Sequence, residues 1–113
     1  MKKPVIYLAG PYTNPDPIIN THDTIQVATR IYEEGWCVPF VPHLTLLWHM
    51  VTPRPLEFWY DLDLAHMETC DAVWRLPGES SGADAEVAHA KEIGMPVFTS
   101  EEEVQSWAVK ATW

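Results

Sequence analysis

Basic side chains are scarce in this sequence: seven lysines and arginines stand against sixteen aspartates and glutamates, a formal net charge of -9 over 113 residues. Such a balance excludes a nucleic acid polymer or an anionic membrane as a general partner, because neither finds a basic face to neutralise it. A small nucleotide is still compatible, since backbone N–H groups at a helix start hold phosphate even in an acidic protein. Cysteine is rarer still. Cys37 and Cys70 fit no redox or ligand spacing, so both are expected as buried thiols in a reducing, cytoplasmic setting. No apolar run approaches the ~18 residues that cross a bilayer. The Met1-Lys2-Lys3 start leads into only five apolar residues before Gly10, which is unlike a signal peptide.

Several motifs are also missing. There is no Gly-x-Gly-x-x-Gly dinucleotide fingerprint and no phosphate-loop lysine, so nucleotide redox chemistry and phosphoryl transfer lack their machinery. The histidines at 22, 43, 49, 66 and 89 never take the His-x-x-x-His spacing of a helical metal site, and no metal or redox cofactor is expected.

What is present is an apolar fraction of 47%, enough for one folded domain over residues 1–113. Val5 to Ala9 reads as a strand buried on both faces and is ended by Gly10-Pro11. Ile25, Ala28, Ile31 and Tyr32 recur at helical spacing, predicting a helix from Thr24 to Glu34 with Gly35 as its stop. Trp36 to Val41 reads as a second strand. Residues 42–60, crowded with aromatics and prolines, are expected to hold a short helix and form a pocket wall or subunit contact. A helix from Leu56 or Asp61 to Thr69, a strand from Ala72 to Leu76, a helix from Ala83 to Ile93, a strand from Met95 to Phe98 and a last helix capped by Ser100 complete the pattern. This order predicts a three-layer α/β sandwich, doubly wound around a mostly parallel sheet of four or five strands, with ligands bound beyond the strands' carboxyl ends. Three loops should meet there, at 10–14, 42–49 and 77–82.

The richest stretch runs from Asp71 to Glu86, where a strand gives way to a Pro-Gly-Ser loop and then to an Ala-rich helix. Ser80 and Ser81 read either as helix caps or as ligand donors, and Gly82 leaves room for close approach. Glu86 reads either as a solvated helix residue or as a nucleophile among small neighbours. Asp61 and Asp63 suit a helix start, but Asp63 is also a candidate general acid, and two carboxyl groups ~5 Å apart are the equipment for glycosidic displacement with retention. Gly10-Pro11-Tyr12 reads as a tight turn with an aromatic over it, or as a pocket wall with a hydroxyl donor. His43 reads as pocket lining or turn structure rather than a base. Trp48 and Trp59 suit stacking on a planar base, core packing or a subunit interface.

The segments Ile6 to Tyr12, Asp63 to Trp74 and Ser80-x-Gly82-x-x-x-Glu86 resemble the nucleoside 2-deoxyribosyltransferase superfamily, which includes nucleoside 5'-monophosphate N-glycosidases. The small, poorly characterised bacterial and phage branch is the most similar, over residues 4–98. The resemblance implies Glu86 as the nucleophile at the anomeric carbon, Asp63 as the carboxyl group assisting departure of the base, and Tyr12 as the aromatic that orients sugar and nucleophile. Gly10, Pro11, His43, Trp48, Ser80, Ser81 and Gly82 are the expected substrate-binding positions, Ser80 also by the resemblance. The resemblance further implies a small nucleoside or nucleotide as ligand and a homo-oligomer as the assembly. Transferases of this kind usually carry aspartate where Ser80 stands, whereas the monophosphate glycosidases carry serine. Cleavage of a (deoxy)nucleoside 5'-monophosphate is therefore the expected activity, with base exchange between deoxynucleosides, or nucleotide binding without chemistry, as the alternatives.

Overall fold

The computed structural model describes residues 2–112. Its strands are β1 (Val5–Ala9), β2 (Val38–Phe40), β3 (Ala72–Arg75) and β4 (Val97–Phe98), all parallel, in the order β2-β1-β3-β4. The helices are α1 (Pro17–Glu34), α2 (Thr45–Val51), α3 (Leu56–Met67), α4 (Ser81–Glu92) and α5 (Glu101–Ala111), with a 3-10 turn at Pro42–Leu44 before α2. The doubly wound α/β sandwich expected from the sequence is the observed fold.

Alternation along β1 explains the three layers. Ile6 and Leu8 point to one face and pack with Ala28 and Ile31 of α1 and Val104 and Ala108 of α5. Tyr7 and Ala9 point to the other, where Met67 of α3 and Ala83 and Ala90 of α4 cover them. All four of these β1 residues are fully buried, so the unbroken apolar run is the signature of a strand covered on both sides. Asp71 fastens the start of the sheet by accepting the Val5 amide at 2.8 Å.

One boundary differs from the sequence expectation by two turns, whereas the 42–60 stretch holds the expected short helix and α3 takes the earlier of its two expected starts. Helix α1 begins at Pro17, a full two turns before Thr24, because Asp16 caps it by accepting from the amides of Ile18 and Ile19. Ile18 and Ile19 are exposed, so apolar periodicity sets in only later and hides the true start. In the 42–60 stretch, α2 ends at Val51 and α3 starts directly after Pro55, whose position before a first helical turn suits proline.

The chain reverses its winding between β1 and β3, and the loops after these two strands open on the same side. They are locked together at Gly78, whose φ of 114° is strained for other residues and where a Cβ would lie 2.7 Å from Pro11 Cγ. Gly94 shares a positive φ, yet a Cβ there would meet nothing within 4 Å. Gly78→Ala is therefore expected to destabilise by about 2–4 kcal/mol and Gly94→Ala by only about 1 kcal/mol in urea unfolding. Equal losses would show that the two loops do not press on each other.

Candidate functional site

A crevice of about 410 Å³ lies beyond the carboxyl ends of β1 and β3. That is within the usual range for small-molecule sites. The first loop contributes Gly10 to Asn14, the 3-10 turn Pro42 and His43, α3 Trp59, Tyr60 and Asp63, and the start of α4 Glu79 to Ala83 and Glu86. Four separated segments thus meet, among them the three loops expected from the topology. Trp48 is not among these residues. It lines a neighbouring groove of about 540 Å³ with Tyr32, Phe40 and His66, because α2 packs it edge-on against Phe58 and Trp59. Asp63 borders both cavities.

Glu86 is only 7% exposed although it is a carboxyl group in a helix. A buried carboxyl needs a donor, and the hydroxyl of Tyr7, itself fully buried, donates to Glu86 Oε2. The resemblance implies an orienting role for Tyr12, whereas the side chain bonded to Glu86 is Tyr7, which in the sequence reads only as part of the buried β1 run. The available signal was a phenol inside an otherwise aliphatic strand, since a buried hydroxyl must find a partner. Tyr12 instead lines the crevice, its ring tilted against His43 at 5.8 Å, and Asn20 holds its loop by donating to the carbonyls of Tyr12 and Asn14 at 3.0 Å each.

Burial pushes Glu86 up to about 7 from an ordinary 4.5, opposed by the Tyr7 hydrogen bond and by the charge of Arg75. Asp63 is also pushed up to about 7, by burial and then by the negative charge of Glu86. The two groups titrate as a pair. Tyr7 and Arg75 both favour ionisation of Glu86, whereas Asp63 has no such help and feels the charge of Glu86. The proton that the pair retains near neutral pH is therefore biased toward Asp63.

His43 is 2% exposed, and its Nε2 lies 2.9 Å from the Pro11 carbonyl, an acceptor only. Nε2 must carry the proton, and burial lowers the pKa, so the ring is neutral and grips the first loop. Ser80 caps α4, its hydroxyl accepting from the Ala83 amide at 3.0 Å and keeping its own proton to donate. The amides of Ser81 and Gly82 open the helix without intrahelical partners. A Cβ at Gly82 would meet only Ser80 Oγ, at 3.9 Å, so space beside the helix start is left open. Among the described residues lining the crevice there is no lysine or arginine, while Glu57, Asp63, Glu79 and Glu86 all border it. Among the described residues no cluster of three or more histidine, cysteine, aspartate or glutamate side chains is placed to hold a metal ion, and no helix is long and apolar enough to cross a membrane.

Comparison with known proteins gives two findings. Residues 4–99 match the model of a family described as a domain of unknown function, DUF4406. A solved 2-deoxyribosyltransferase from the psychrotolerant bacterium Bacillus psychrosaccharolyticus has the same fold, with a TM-score of 0.57 and 21% identity over 82% of this chain and 69% of that one. No curated protein matches the sequence.

The raised carboxyl pair makes a thermodynamic prediction. Both groups bind protons more tightly in the folded state, so their contribution is fully present below about pH 4 and is lost as pH rises through about 7. Relative to an Asp63→Asn, Glu86→Gln double variant, the wild type should lose on the order of 3 kcal/mol of unfolding free energy between about pH 4 and about pH 8. Urea titrations at matched pH measure this, and parallel profiles for the two proteins would show that the pair is not perturbed.

Proposed function

The chain belongs to the DUF4406 family, and from the geometry of its crevice we propose that it cleaves the N-glycosidic bond of a nucleoside by forming a glycosyl ester on Glu86. The observation that carries this reading is the buried carboxyl pair: Glu86, held by the Tyr7 hydroxyl, shares a cavity with Asp63, and burial raises both, with the retained proton biased toward Asp63. In the first step an oxygen of Glu86 bonds to C1' while the C1'–N bond breaks, and the departing base nitrogen takes the proton from Asp63. In the second, Asp63 as carboxylate removes a proton from water or from an acceptor base. That nucleophile bonds to C1', and the ester to Glu86 breaks. Tyr7 fixes the attacking carboxylate, and Tyr12, with Gly10 and Pro11, forms the wall on which the sugar rests.

Base exchange between deoxynucleosides is the better supported form of this chemistry. The fold is shared with a 2-deoxyribosyltransferase, and a crevice bordered by four carboxyl groups, with no lysine or arginine among its described lining residues, suits an uncharged substrate better than a phosphate dianion. A second reading, hydrolysis of a 5'-monophosphate, draws on the hydroxyl of Ser80 and the open amides at the start of α4. Self-association belongs to the same proposal: Leu47 is 69% and Val51 75% exposed, on the helix that borders the groove beside Asp63. A reducing, cytoplasmic setting fits the free, buried Cys37 and Cys70.

Incubation with ribo- and deoxyribonucleosides and their 5'-monophosphates, with and without an acceptor base, tests the reading by chromatography of free and exchanged bases. Exchange on unphosphorylated deoxynucleosides is expected; release from monophosphates alone would favour the second reading, and no release from any of them would leave a binding function. Glu86→Gln should lower turnover by more than about 10⁴-fold, and Asp63→Asn by about 10²- to 10⁴-fold, least for bases that leave readily. Unchanged turnover in Glu86→Gln would remove the nucleophile assignment.

A further inference from the structure

Arg75 ends β3 directly beneath the crevice, and none of the chemistry above uses it except through its charge. Its side chain is only 14% exposed, in a protein with few cations. Nη1 donates to the Leu76 carbonyl, Nη2 donates to the Gly78 carbonyl at 2.9 Å, and both Nε and Nη2 donate to Asp84 Oδ1, at 3.2 and 3.0 Å. One guanidinium therefore ties two carbonyls of the loop after β3 to the first turn of α4. A fixed planar fork of donors meets these demands and the ammonium of lysine does not. The grip extends further, because Gly78 presses on Pro11 and the Pro11 carbonyl accepts from His43. Both walls of the crevice thus depend on where Arg75 holds the loop.

We propose that Arg75 is a positioning residue of the crevice, clamping the 76–80 loop and the start of α4 in place and presenting its positive charge to Glu86. The inference deepens the proposed function and rests on it only where turnover is concerned. Around Glu86 the ionisable groups are Tyr7 from β1, Asp63 from α3 and Arg75 from β3. Glu57, Glu79, Tyr12, Tyr60 and His43 border the same crevice, and Asp84 lies on the outer side of the guanidinium. Arg75 is the cation in this set, since His43 is held neutral. It counteracts the burial that raises Glu86.

The test is made on ligand-free protein, so that its outcome is separate from that of the activity panel. The Glu86 carboxyl is titrated by ¹³C NMR, and amide exchange is followed at residues 78–82, in the wild type, Arg75→Gln, Arg75→Lys and Asp84→Asn. In Arg75→Gln the Glu86 midpoint should rise by about one pH unit, a tenfold change in its proton affinity, and exchange at 78–82 should quicken by on the order of tenfold. Arg75→Lys should keep the midpoint near that of the wild type while exchange still quickens, which separates charge from fork. Asp84→Asn, altered at an exposed carboxylate, should quicken exchange without raising the midpoint. If Arg75→Gln does not fold, Arg75→Lys and Asp84→Asn still test the clamp through exchange at 78–82, and unchanged exchange in both overturns it. An unmoved midpoint in Arg75→Gln together with unchanged loop exchange overturns the proposal, as does a raised midpoint in Arg75→Lys with a quiet loop. With active enzyme, Arg75→Lys should raise KM more than it lowers kcat, and Arg75→Gln should move the acid limb of the rate profile upward.

Discussion

A carboxyl group buried at the carboxyl end of a parallel sheet has to be met by a donor, and here Tyr7 meets Glu86. The contact spans the fold, from the central strand β1 to the first turns of α4, and the rest of the site is arranged around it. Strand order β2-β1-β3-β4 brings β1 and β3 side by side at the point where the winding reverses. The inner face of β1 then carries the phenol toward α4. Without that neighbour, Glu86 would be a buried charge with no hydrogen bond, and it would take up a proton more readily.

From this contact follows the division between the two carboxyl groups. Burial raises both, but only Glu86 has a hydrogen bond and a nearby cation to offset it. Asp63 sits in the same cavity with neither, and so it becomes the natural holder of the shared proton. An anion and an acid lining one cavity are the pair on which the proposed glycosyl chemistry draws. The neutral His43 and the fork of Arg75 act one step away, on the loops rather than on a substrate. His43 holds Pro11 from one side, and Arg75 holds Gly78, which presses on Pro11, from the other.

Much of this architecture was legible in the sequence, and the exceptions share physical reasons. The β1 run, the Gly35 stop and the Ser100 cap each combine a local signal with the burial pattern that the fold requires, and they lie where the sequence places them. The start of α1 was obscured because Ile18 and Ile19 face outward, so the cap at Asp16 had no amphipathic stripe behind it. In the crevice, Gly10 to Tyr12, His43, Asp63, Ser80 to Gly82 and Glu86 come together because loop convergence follows from topology alone. Trp48 and Tyr7 behave otherwise, since the roles of large aromatics depend on which side of an element they occupy. One residue of register decides between core and site on a strand, and a short helix such as α2 offers too few turns to reveal its inner face. Arg75 is one of the few cations in the sequence, but its four hydrogen bonds depend on the path of the loop and have no sequence signature.

The central claim is that a sugar becomes bonded to Glu86. Acid-quenched turnover with a 2'-fluoro nucleoside, whose electron-poor sugar slows breakdown of an ester, followed by intact-mass and peptide-level mass spectrometry, addresses it directly. The account predicts one added fluoroglycosyl mass per chain, mapped to Glu86 and absent in Glu86→Gln. Base release without any adduct, or an adduct on another residue, would contradict it.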